Sequence, residues 1–522
     1  MHILKDLDDP AAQFTNINDD DILVSGPEIT QEITKRINLC FKTHKSCPEP
    51  DESCLPTRVI DVHPESGDDR VCIHITSSHD KFRYLALSYC WGGAQELTTT
   101  KATLMDRQHG MRLCDLPPTI HDAIQVTRDL GFRYLWLDAL CIIQDDTEDK
   151  NMEINRMGSI YKNATLTIAA ANTTSVQESF LTPRPIPQCC TLPYLLPNGT
   201  YGTLWIKDKF PNWILSPLDS RAWALQESLL SPRILWYGPA DLKWKCQEAQ
   251  FADIWNTHNY DFKYPPSRHR RLPKRVFGLP WSYQTDLHQR GTEMWSDIMG
   301  DYSGRDLTFA EDRLPALAGV ASELQKIWMD DYLAGLWRKS LVKHLGWFQQ
   351  KESMDDSIYD YVDGDSITLH LPGPGQYHSP GWTWTSFQGR IAVKEVVREH
   401  AEIIECQVAL ADEKTPFSRV TSGKLVLKAA CITESERLKM ENSRVCWDYN
   451  DCEQENHINH VNQTFVYALL GDTGGREGGM KAVALVLAPV GDGNFMRIGL
   501  LFNFDSNEWK LESRGKRKMT II

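Results

Sequence analysis

A chain of 522 residues is too long for one compact core and divides most naturally into two or three domains. An apolar share of 41% with 17 Trp fills those cores, while a formal net charge of -14 sets the surface as a whole against nucleic acid and anionic membranes. The opening residues, Met1 to Asp6, have neither the apolar stretch of a signal peptide nor transit-peptide character, and no run reaches the ~18 to 20 apolar residues that cross a bilayer. A cytoplasmic protein is expected, its 14 Cys packed as reduced thiols rather than paired in disulfides.

Residues 1–80 begin polar and acidic and reach Leu55-Pro56-Thr57-Arg58-Val59-Ile60-Asp61-Val62, a strand after a Pro-rich turn. This segment reads as a lead-in packed on the domain that follows. Tyr84 to Tyr89 is an almost wholly apolar run closed by Trp91-Gly92-Gly93, the pattern of a strand buried on both faces. Pro117-Pro118-Thr119 opens a helix whose Ile120, Ala123, Ile124, Thr127 and Leu130 share a face, with Gly131 as its stop.

Tyr134 to Ile142 is a second continuous apolar run, interrupted only by Asp138 and followed by Gln144-Asp145-Asp146. It reads as a buried parallel strand with one embedded carboxylate. Met152, Met157, Ile160 and Tyr161 recur at helical spacing, and Ala164 to Ala171 supplies a third strand. After Pro-rich turns and a short strand at Thr203 to Ile206, Asp219 or Ser220 can cap a helix through Arg221 to Leu230. This alternation of strand and helix predicts a parallel sheet covered on both faces, with its site beyond the C-terminal ends of the strands. Past Gly238 the pattern becomes α+β with a β-rich end: a helical segment runs from Leu314 to His344, and strands are expected at Gly381 to Ser386, Lys424 to Lys428, Val483 to Leu487 and Ile498 to Phe504.

Four blocks in fixed order resemble the HET (heterokaryon incompatibility) domain of filamentous fungi: Tyr84 to Gly92 (YLALSYCWG), Tyr134 to Gln144 (YLWLDALCIIQ), Met157 to Ala170 (MGSIYKNATLTIAA) and Arg221 to Leu230 (RAWALQESLL). Leu55 to Val62 and Trp382-Thr383-Trp384 are similar to the same family. The resemblance implies a lead-in at 1–80, a HET domain at 81–240 and a C-terminal α+β domain at 241–522. It also implies a role in cell death when unlike hyphae fuse or a receptor module is engaged.

The block order is similar to that of TIR domains as well, which implies a TIR-like, flavodoxin-like parallel sheet flanked by helices. Enzymatic TIR domains cleave NAD. Leu87-Ser88-Tyr89 with Gly92 resembles their first strand and loop, and Ser220, Trp223 and Glu227 resemble their catalytic signature with one extra residue between Ser and Trp. The resemblance implies Glu227 as the catalytic carboxylate, NAD or a related nucleotide as substrate rather than resident cofactor, and activity gated by self-association. An upstream receptor protein is a further implied partner; nucleic acid and membrane are not.

Trp223 and Glu227 lie four apart and so share a helix face. Scission of the nicotinamide–ribose bond leaves an oxocarbenium-like sugar that an ionised carboxylate stabilises, with Trp223 or Trp91 as a stacking face. Gly92 and Gly93 would let backbone N–H groups approach a ribose or phosphate. Asp138 and Gln144, at and beyond the end of the second strand, shape the pocket or hold its loop, and loop-holding is the preferred role for Asp138. Each has a plainer reading: Glu227 as a favourable charge near a helix N-terminus, Trp91 and Trp223 as core, Asp138 as a buried carboxylate satisfied by backbone, Ser88 as a small strand-end residue. The rival function is a non-enzymatic module that oligomerises through the same surfaces.

Cys40, His44, Cys47 and Cys54 have a spacing that zinc can use, as do Cys446, Cys452, His457 and His460. Neither contains a paired CxxC, so both read as ordinary thiols and no metal is expected. The basic runs at Arg268 to Arg275 and Arg514 to Lys518 read as solvated loops.

Overall fold

Every residue of Tyr84–Ser88 is buried, and so is every residue of Leu166–Ala170 and Arg233–Tyr237, which is why these short segments could not stand as surface strands. The computed structural model describes residues 2–4, 24–52, 54–65, 69–184, 189–207, 216–239, 242–249, 252–253, 272–277, 287–350, 379–440, 443–448, 465–474, 481–505, 509 and 514–522. Its contacts divide the chain into two units, Met1–Trp281 and Ser282–Ile522.

The first unit is built on a nine-stranded mixed sheet. In chain order its strands are β1 (Arg58–Asp61), β2 (Arg70–Ile75), β3 (Tyr84–Ser88), β4 (Met111–Arg112), β5 (Tyr134–Trp136), β6 (Leu166–Ala170), β7 (Arg233–Tyr237), β8 (Leu242–Cys246) and β9 (Ala252–Asp253). Their spatial order is β9-β8-β7-β6-β3-β5-β1-β2-β4. The four central strands are parallel and ordered β5-β3-β6-β7, so the chain reverses direction across the sheet at β3 and β6. Antiparallel strands extend both sides.

Among its helices are α1 (Pro27–Thr43), α2 (Pro118–Asp129), α3 (Asp138–Cys141), α4 (Thr147–Asn163), α5 (Pro217–Ser220) and α6 (Ala222–Leu230). α4 and α6 pack together, and with the strand order β5-β3-β6-β7 the right-handed rule for parallel crossovers sets α2 on the opposite face of the sheet. In α1, Ile29, Ile33, Ile37 and Cys40 form a buried stripe that joins the sheet's main core. The Asp146 side chain caps α4 by accepting from Glu148 N and Asp149 N, and Gly131, at φ 76°, follows α2 in the left-handed conformation.

Four local expectations are corrected. The second apolar run is a strand only to Trp136; Asp138–Cys141 is a helical turn, because Asp138 Oδ1 accepts from Ala139 N at 2.7 Å and Thr99 N binds Ala139 O at 2.9 Å. The final helix starts at Ala222 rather than being capped by Asp219 or Ser220, since the Ser220 hydroxyl donates to Pro217 O at 2.9 Å. The lead-in supplies β1 and β2 to the sheet itself and packs α1 on its core, while β8 and β9 pair in this sheet and not in a domain starting at 241. Gly381 to Ser386 is a turn with a 3₁₀ segment at Trp384–Ser386, held by Thr383 N to Pro380 O and by hydroxyl bonds among Ser379, Thr383 and Thr385.

The second unit has α7 (Leu287–Ser303) and α8 (Pro315–Trp328), then a ring of five strands: β10 (Val420–Thr433), β11 (Val466–Thr473), β12 (Lys481–Gly491), β13 (Asn494–Asp505) and β14 (Lys516–Ile521). Each pairs with the next and β10 pairs with both β11 and β14, closing the barrel. Asp492 and Gly493 turn the β12–β13 hairpin with φ of 50° and 73°, the two left-handed positions that a tight hairpin asks for. The basic run near the C-terminus is thus not a loop: Lys516 to Lys518 open β14. Arg268 to Arg271 lie outside the described residues. Among the described residues no helix is long and apolar enough to cross a membrane.

Candidate functional site

β3 ends at Ser88, and the chain leaves the sheet through Tyr89-Cys90-Trp91 beyond the C-terminal edge of the parallel strands. That edge, next to the β3/β6 reversal, is where sheets of this kind hold ligands. β5 brings Asp138 to the same edge, and α6 carries Glu227 to it from the connection between β6 and β7.

Glu227 is only 3% exposed, and its Oε2 accepts a hydrogen bond from the Ser88 hydroxyl, itself 4% exposed. Burial pushes the Glu227 carboxyl up to about 7; Arg221 and the bond from Ser88 oppose that rise, Asp138 adds to it, and Tyr161 opposes it. The carboxyl is therefore divided between its two protonation states near neutral pH, where the sequence reading expects it to be ionised throughout. The Tyr161 hydroxyl also donates to Leu87 O at 2.9 Å, fixing α4 to the end of β3.

Arg221 stands at the N-cap of α6, a position where the helix dipole disfavours a cation. The carboxylates explain it: although burial disfavours its charge, Glu227 and then Asp138 raise its proton affinity, and its Nη1 donates to Tyr89 O. Asp138 is pushed upward by burial, against the pull of Arg221 and of the bonds it accepts. Its Oδ2 accepts from Trp91 Nε1 at 3.0 Å and its Oδ1 from Ala139 N at 2.7 Å, so this carboxylate pins the loop after β3 to the turn after β5. Gln144 Nε2 donates to Asp138 O at 3.1 Å and to Ile142 O at 3.4 Å, bracing that turn from behind.

The fold thus gathers Ser88, Trp91, Asp138 and Glu227 at one edge. Gly92 lies in the same loop with φ 76°, and a Cβ there would meet Ser175 Cβ at 2.4 Å, so close loop packing is what demands glycine. Gly93, at φ 121°, faces open space. Trp223 packs against the main core, and Ser220 is exposed with its hydroxyl bonded to Pro217 O. A narrow pocket beside the pair, lined by Ser88, Thr167, Ala169, Ala224, Ser228 and Trp236, has room for roughly one water.

Sequence reasoning passed over Arg221, Tyr89 and Tyr161. Arg221 had a signal, a cation six residues before the candidate carboxylate at the start of a helix. Cys141 is fully buried with its thiol pushed up to about 12, chiefly by burial, which makes it a core residue rather than a nucleophile. Of the first Cys/His set, Cys54 is exposed while Cys40, His44 and Cys47 converge with Cys246, a residue the spacing had not suggested. Of the second set, Cys446 points to Gln349 O at 3.6 Å, and Cys452, His457 and His460 lie outside the described residues.

The family model described as "Heterokaryon incompatibility protein (HET)" matches residues 84–227, a span that starts at β3 and ends on the buried carboxylate. The chain is also similar to "Heterokaryon incompatibility protein 6, OR allele" of Neurospora crassa, 29% identical over 119 residues. That alignment covers 20% of this chain and 17% of the Neurospora protein, so the two share about a sixth of the relative's length. No solved structure matches the chain.

Proposed function

We propose that this protein is an effector of heterokaryon incompatibility whose first unit hydrolyses the nicotinamide–ribose bond of NAD. The observation that carries the enzymatic part is the buried Glu227 carboxyl, hydrogen-bonded to Ser88 at the C-terminal edge of the parallel strands. The matched family and the Neurospora relative support the incompatibility role. A TIR-like relationship is part of this reading and rests on the order of the four central strands together with the sequence blocks.

In the reaction, the ionised carboxylate faces the anomeric carbon as the C–N bond breaks. The bonding pair leaves with nicotinamide, which departs neutral, and positive charge spreads over the ribose ring. Water attacks that carbon and loses its proton, giving ADP-ribose, nicotinamide and H⁺. Ser88 would release Glu227 to a ribose hydroxyl, while Arg221 holds the carboxyl toward its ionised form. Because the pocket beside the pair is narrow, entry of a nucleotide requires the edge to open, and self-association is the proposed trigger.

A second reading has support from the same closure: a carboxyl 3% exposed and satisfied by Ser88 also suits a structural clasp in a non-enzymatic oligomerising module. Incubating the purified chain with NAD, as monomer and as crosslinked oligomer, and measuring nicotinamide release separates the two. Release by the wild type and its loss in Glu227→Gln supports hydrolysis; no release in any oligomeric state sinks the enzymatic reading.

A further inference from the structure

Cys40 lies in the last turn of α1, and His44, the residue that ends the helix, donates its backbone N–H to Cys40 O, which holds the two side by side. Cys47 follows after the helix end, and the strand β8 finishes on Cys246. These four side chains come from segments about 200 residues apart, yet each offers a ligand atom within 4.8 Å of the others. His44 Nδ1 lies 3.4 Å from Cys246 Sγ and 3.6 Å from Cys47 Sγ. Tetrahedral zinc with ordinary Zn–S and Zn–N bonds separates a sulfur and a nitrogen ligand by about 3.6 Å. Four donors thus already stand where one ion would set them.

We infer that Cys40, His44, Cys47 and Cys246 form a structural zinc site of three thiolates and one imidazole. The soft donor set suits zinc, and four protein ligands leave no open position, which is the hallmark of a structural rather than catalytic centre.

The surroundings are those a thiolate centre needs. Three thiolates and a neutral imidazole give a zinc complex of net charge −1, and the wholly buried guanidinium of Arg233 compensates it, donating from Nε to Cys40 Sγ at 3.2 Å. Arg233 is itself held by Pro48 O and by the Phe41 ring, 4.3 Å from its Cζ. Ala249 N donates to Cys246 Sγ at 3.3 Å, and Ser46 N donates to Glu248 Oε1 at 2.7 Å, tying the two ligand-bearing segments together beside the centre. Bound zinc would fasten the lead-in helix to the antiparallel margin of the sheet. Its role is independent of whether Glu227 acts on NAD.

Metal analysis of the full-length chain, purified under reducing conditions without chelator from zinc-supplemented cells, tests this. The expected result is about one zinc per chain, falling below about a fifth in Cys246→Ser and in His44→Ala, with the exposed-site control Cys54→Ser unchanged. Should those variants fail to fold, the wild type alone decides: titration with a mercurial must release zinc in step with modification of three protected thiols, and cobalt exchanged into the site must show tetrahedral, thiolate-bound absorption. Less than about a tenth of an equivalent of zinc in the wild type, bound iron in its place, or a disulfide among Cys40, Cys47 and Cys246 would overturn the assignment.

Discussion

The Ser88 hydroxyl donates to the Glu227 carboxylate across 139 residues of chain, joining the end of the first parallel strand to the helix that leads into the fourth. Glu227→Gln keeps an acceptor for that bond and removes the charge. The variant is expected to fold with a melting temperature equal to or above the wild type and to release nicotinamide at least about 100-fold more slowly, the usual scale for losing an electrostatic stabiliser. Calorimetry beside a nicotinamide assay checks both halves.

Stability and activity should run in opposite directions with pH. Because burial lifts the Glu227 carboxyl from 4.5 to about 7, the native state holds its proton more tightly than the unfolded chain does. That contribution to stability is complete below about 4.5 and is lost as pH rises to about 7, a decline of up to roughly 3 kcal/mol. Nicotinamide release, needing the ionised form, should rise through the same region. Denaturant melts of wild type and Glu227→Gln across this range should differ in slope, and equal slopes would contradict the assignment.

Arg221 is the cation that opposes the proton on Glu227. Replacing it with Gln should push the carboxyl up further, shift the activity profile to higher pH, and destabilise the fold by about 3 kcal/mol, because two enclosed carboxyls lose their counter-charge. A pH–rate profile of the variant reads the shift directly.

Gly92 and Gly93 look alike in sequence and should respond differently to Ala. At Gly92 a Cβ would fall 2.4 Å from Ser175 Cβ with φ at 76°, so both strain and overlap are incurred and a loss of about 3 kcal/mol or more is expected. At Gly93 only the backbone conformation resists, for about 1 to 2 kcal/mol. Thermal melts of the two variants give the ranking.

In the second unit, Arg497 is wholly buried: its Nε donates to Asp448 Oδ2 at 2.8 Å, its Nη1 to Leu345 O at 2.6 Å, and it lies over the Trp347 ring. Arg497→Met would leave Asp448 buried without its cation and cost about 3 to 5 kcal/mol. The paired change with Asp448→Asn should recover part of that loss, measurable as a double-mutant cycle.

The alternation of strand and helix was readable because β3 and β6 are apolar at nearly every position and α2 is bracketed by Pro118 and Gly131. The end of β5 was not: a buried strand and a buried helical turn share the same apolar text through Leu140 and Cys141, and the bonds that decide between them, from Ala139 N to Asp138 Oδ1 and from Thr99 N to Ala139 O, are not written in that text. Trp382 and Trp384 alternate with threonines like a strand, yet the hydroxyls of Thr383 and Thr385 turn inward and bond each other. Glu227 and Ser88 could be nominated from their blocks, and Arg221 from its place ahead of Glu227, but the bond of Arg221 to Tyr89 O, 132 residues away, could not. Cys246 similarly has no neighbour in sequence that marks it.

The barrel of the second unit carries a practical consequence. Its closing member, β14, is the stretch Lys516–Ile521, hydrogen-bonded to β10 along one side and to β13 along the other. Trimming those few residues from an expression clone would bare two lengths of backbone at once, each able to recruit a strand from another molecule. A truncation series through this strand should therefore show insolubility setting in abruptly.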